Sequence, residues 1–62
     1  MKIVDVLAGA VKRVKQGETE DRIISWAEIQ FLASGWKPGQ AEDMGREVFE
    51  YAKRNATKPV VK

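Results

Sequence analysis

The stretch ISWAEIQFLASGWKPG, residues 24–39, carries the signals that decide the fold. Ser25 followed three residues later by Glu28 has the spacing of a capping box. In that motif the hydroxyl accepts from a free N–H of the first turn, and the carboxylate reaches back to the N–H of the cap. Ile24 and Ile29 stand at N′ and N4 of the same frame, where a hydrophobic staple closes over the cap. At the other end Gly35 occupies the place of a left-handed C′ residue. Phe31 at C3 and Trp36 at C″ form the apolar pair of a Schellman ending. Pro38 forbids continuation of the helix. Together these signals predict a short second helix over Trp26–Ser34.

Working outward, two longer segments flank it. From about Ile3 to Gln16, the residues Val6, Ala10, Ile3, Val14, Leu7, Val11 and Val4 fill one arc of roughly 160° on a wheel of 100° per residue. Lys2, Lys12, Arg13 and Lys15 fall on the other side, with Gly9 at its centre. Gly17 then supplies a stop. From Gly39 or Gln40 to Asn55, the residues Tyr51, Met44, Val48, Ala41, Ala52, Gly45 and Phe49 make a second arc of about the same width. Glu42 and Asp43 open that segment and Lys53 and Arg54 close it, each sign matching the helix dipole. Glu42–Arg46 and Glu50–Arg54 are four residues apart in the favourable order. Helices at about 3–16, 26–34 and 40–55 predict an all-α, three-helix bundle, a single domain over 1–62 with 56–62 as a short flexible tail. The second helix, apolar on two sides, is expected at the centre. Its main face would carry Trp26, Ile29, Leu32 and Ala33, with Ala27 and Phe31 opposite.

Composition sets the bounds on function. A chain of 62 residues buries only about 60% of its unfolded surface, so its stability is slender. It contains no cysteine and no histidine, which excludes disulfides and the usual zinc, iron–sulfur and copper ligand sets. The acidic connector Glu18, Glu20 and Asp21 lacks the spacing and glycine of an EF-hand loop. Asp43 and Glu47 lie one turn apart without a histidine or other acid–base partner. No phosphate-cradling glycine loop or nucleophile motif is present. No catalytic, cofactor-binding or metal-binding residue is therefore expected, and the chain is read as non-enzymatic. The longest apolar stretch, near Val6–Val11, is far short of the ~20 residues of a membrane span. In MKIVDVLAGAVKR an acid, Asp5, interrupts the apolar run and the basic residues follow it, so this segment reads as part of the fold rather than a signal peptide. A cysteine-free chain suits a cytoplasmic location.

Two surfaces compete as the functional one. The first is Ala27, Phe31 and Trp36, an aromatic group facing away from the expected main stripe of the second helix. Aromatic side chains dominate the energetic centres of protein interfaces. Read this way, the chain is a small protein-binding accessory or regulatory module whose partner is another protein or itself, as a homodimer. The alternative for the same residues is burial within the monomer. The second surface is basic: Lys2, Lys12, Arg13 and Lys15 on the first helix, with Lys58 and Lys62 in the tail. It fits a nucleic-acid-binding regulator or, if the first helix exposed its apolar stripe, a peripheral contact with an anionic membrane. The order of the second and third helices also matches a helix-turn-helix. Against it stand a turn longer than the usual three to four residues and a third helix whose outer face carries Glu42, Asp43, Glu47 and Glu50, which phosphate would repel. The net charge of +2 is too small to favour nucleic acid. Gly9 fits either close approach by a partner or a tolerated surface glycine. Gly45 fits close packing of another helix.

Overall fold

The computed structural model describes residues 2–57, which form three α-helices in succession: α1 Ile3–Lys15, α2 Glu20–Ala33 and α3 Pro38–Thr57. The expected all-α three-helix bundle is what forms. Ala56 and Thr57, assigned from sequence to the tail, instead complete α3, and residues 58–62 lie outside the described residues.

The largest correction concerns the start of α2. The helix begins at Glu20, with Thr19 as its N-cap in extended backbone (φ −71°, ψ 157°), and the Thr19 side chain accepts from the Arg22 N–H at 3.3 Å. Glu20 and Asp21, expected in a connector, occupy the first turn, where carboxylates suit the dipole. Ser25 and Glu28 are thus interior helical residues, and the capping-box spacing at that point is coincidental. The earlier start is favoured by packing. It brings Ile23 into register with Ala27 and Phe31 at i, i+4 and i+8, and all three are fully buried. A helix beginning at Trp26 would leave Ile23 in a connector.

The far end of α2 forms as expected. Gly35 adopts φ +95°, its N–H bonds Leu32 O at 3.0 Å, and the Trp36 N–H bonds Phe31 O at 3.1 Å. This is the Schellman pair of bonds, and the Phe31 and Trp36 rings meet with centroids 4.8 Å apart. The end of α1 has the same backbone with different chemistry. Gly17 takes φ +85°, its N–H bonds Val14 O, and the Glu18 N–H bonds Arg13 O. Here C3 and C″ are Arg13 and Glu18, an ion pair at 4.0 Å in place of an apolar contact.

Pro38 opens α3 at N1, where its missing N–H has no intrahelical partner to lose. Behind it, Lys37 O accepts from the Ala41 N–H at 2.8 Å. Of the expected arc, Ala41, Gly45, Val48, Phe49 and Ala52 are buried and Met44 is half-buried, but Tyr51 at its edge is exposed. The small residues of this arc make α3, and not α2, the central helix. It packs against both neighbours, and α1 and α2 meet over a smaller contact. Gly45 marks the α2 crossing: a Cβ there would stand 3.1 Å from Ile24 O, so the backbones approach closely enough that α2 would have to give way to a side chain. On α1, Val6 and Ala10 are buried, but Ile3 and Val4 are exposed. The buried centre of α1 is rotated from its expected apolar arc toward Gly9 and Arg13, both half-buried.

Candidate functional site

The aromatic group expected to present a binding surface lies mostly inside the bundle. Ala27 and Phe31 have no exposed area, and Trp36 is half-buried against the core. The faces of α2 differ from the expected ones, although Trp26 of the expected main face does pack half-buried against the core. Ile23, Ala27 and Phe31 form the core stripe, while Ile29 and Leu32, assigned to the main apolar face, are 60% and 43% exposed. The Phe31–Trp36 clasp is therefore a structural lock on the turn between α2 and α3.

The basic side of α1 also divides. Lys2, Lys12 and Lys15 are exposed. Arg13 is engaged within the chain. Its guanidinium lies 4.1 Å from the centroid of the Trp26 ring, Nη1 donates to Gly9 O at 3.4 Å, and Nε faces Glu18. Beneath the guanidinium, the indole of Trp26 lies against Gly9, where a Cβ would come within 2.7 Å of Cη2. The close approach that Gly9 permits is thus made by Trp26 of the same chain. Arg13 is thus already engaged by Trp26, Gly9 and Glu18, with about a third of its side chain exposed. Lys58 and Lys62 lie outside the described residues.

The turn between α2 and α3 comprises residues 34–37, which falls within the helix-turn-helix range and removes the objection of length. The electrostatic objection stands. Glu42, Asp43, Glu47 and Glu50 are all exposed on α3, with Glu42 paired to Arg46 at 3.5 Å. The N-terminal half of a recognition helix must approach base edges between two phosphate backbones. Here that half is acidic.

A groove of about 590 Å3 runs between α2 and α3. Glu20, Asp21, Glu28, Glu42 and Glu50 line it with Arg46, over Ile24 and Phe49. Among the described residues, no group of three or more carboxylates converges in a way that could hold a metal ion. No helix among them is long and apolar enough to cross a membrane.

The residues that the sequence reading missed as surface candidates are Ile29 and Leu32. Ile29 and Leu32 are one helical turn apart on α2 and both are exposed, beside the polar Arg22 and Ser25. The signal was present in the i, i+4, i+8 series Ile23, Ala27 and Phe31, which becomes visible once the helix is allowed to begin before Ser25. No family model matches the chain, and comparisons with curated proteins and with solved structures likewise find no match.

Proposed function

We propose that this chain is a small non-enzymatic protein-binding module that self-associates through the outward side of α2, with Ile29 and Leu32 as the anchors. The observation that carries this reading is their exposure, at 60% and 43%, on a helix whose core stripe is already complete. Neither side chain is needed to close the monomer, and their i, i+3 spacing suits the groove of a facing helix. A cysteine-free module of this kind is compatible with a reducing compartment such as the cytoplasm. The test is solution mass across a concentration series for native protein and the Ile29→Asp/Leu32→Asp variant. Native protein is expected to gain mass with concentration, and the variant to stay monomeric. Native protein that remains monomeric into the millimolar range overturns self-association. A variant that associates like native overturns the choice of surface.

Nucleic-acid binding is the second reading, favoured only by the exposure of Lys2, Lys12 and Lys15 on one element. Its test is duplex DNA binding at low salt by native protein and by Lys12→Glu/Lys15→Glu. Binding that the variant loses and that falls steeply with salt supports it; absence of binding at low salt overturns it. Arg13 is unsuitable for that test because it holds α1 to Trp26.

A further inference from the structure

We draw no further inference here: the strongest candidate, the groove between α2 and α3 lined by Glu20, Asp21, Glu28, Glu42, Glu50 and Arg46, is a mostly acidic surface with nothing in the structure to show what occupies it.

Discussion

The six-membered ring of Trp26 lies where a side chain at Gly9 would have to stand, with Cη2 only 2.7 Å from the position of a Cβ. Alanine at position 9 would gain up to ~1 kcal/mol of helix propensity. It would also force the indole outward, and overpacking of this kind costs about 1–3 kcal/mol. The second effect wins, so Gly9→Ala is expected to lower stability by about 1 kcal/mol, measured by urea unfolding. The companion Trp26→Leu/Gly9→Ala removes the obstructing ring, and in that background alanine at position 9 should be neutral or stabilising. A stabilising Gly9→Ala in the native background would show that the ring moves aside freely.

Gly45 makes the opposite case with a longer distance. Its Cβ would stand 3.1 Å from Ile24 O and 3.6 Å from Glu28 N, both backbone atoms of α2. Trp26 can adjust two torsions, whereas α2 can make room only by shifting as a helix against α3. Gly45→Ala is therefore expected to cost more than Gly9→Ala, about 2 kcal/mol after the same gain in helix propensity. Side-by-side urea midpoints check the order. The reverse order would mean that the two helices separate more easily than one indole turns.

These two glycines show what the sequence made legible. Gly45 sits in an apolar arc between alanines, a pattern that already spells close helix packing. Gly9 sits among charged residues, and its partner, Trp26, belongs to another helix. A wheel drawn for α1 alone cannot show that contact. The same limit explains α2. Its C-terminal stop is a local motif, carried by Phe31, Gly35 and Trp36, and it reads correctly. Its start carries a local cap signal at Ser25, but the helix begins at Glu20 behind Thr19, which brings Ile23 into the buried stripe. Leaving Ile23 outside the helix hides the stripe it makes with Ala27 and Phe31, so the face of Ile29 and Leu32 is taken for the core side. The candidate surface is misplaced for that one reason.

Gly17 and Gly35 both hold positive φ in Schellman turns, at +85° and +95°. The left-handed penalty for alanine is about 1–2 kcal/mol at each. The two turns differ in the residue next after the glycine. Trp36, after Gly35, packs on Phe31 and the core; the side chain of Glu18, after Gly17, makes an ion pair about one-third exposed. Gly35→Ala is thus expected to lower the urea midpoint further and to weaken the near-ultraviolet circular dichroism of the tryptophans. Gly17→Ala should leave that signal intact. Equal losses in both would show that the aromatic clasp adds nothing beyond the turn itself.

Arg13 joins three groups, and their contributions can be separated. Stacking on Trp26 is worth about 0.5–1 kcal/mol at a site of this exposure. The pair with Glu18, at 4.0 Å and with both side chains about one-third exposed, is worth less than about 1 kcal/mol and is screened by salt. Glu18→Gln should therefore cost little, and that little should vanish at high salt. Arg13→Ala should cost more and keep most of its cost at high salt, because packing of the guanidinium on the ring at 4.1 Å is screened less than the ion pair. Unfolding curves for both variants at low and high salt decide this. An Arg13→Ala penalty that disappears with salt would assign its role to the ion pair alone.

Phe31 and Ile29 stand two residues apart and should respond to substitution in opposite ways. Phe31 is fully buried, and truncating a buried phenylalanine to alanine costs about 3–5 kcal/mol. Domains have roughly 0.05–0.15 kcal/mol of stability per residue, so a chain of 62 residues has little to spare. Phe31→Ala is expected to unfold much of the population, and any loss of association in it would report unfolding rather than contact. Ile29 is 60% exposed, and surface substitutions usually stay within about 0.5 kcal/mol. Ile29→Asp should therefore keep the helical circular dichroism and urea midpoint of native protein. If it melts the bundle as Phe31→Ala does, Ile29 belongs to the core and the outward face of α2 is not the one described. If it stays folded while concentration-dependent mass is lost, stability and association are carried by opposite sides of the same helix.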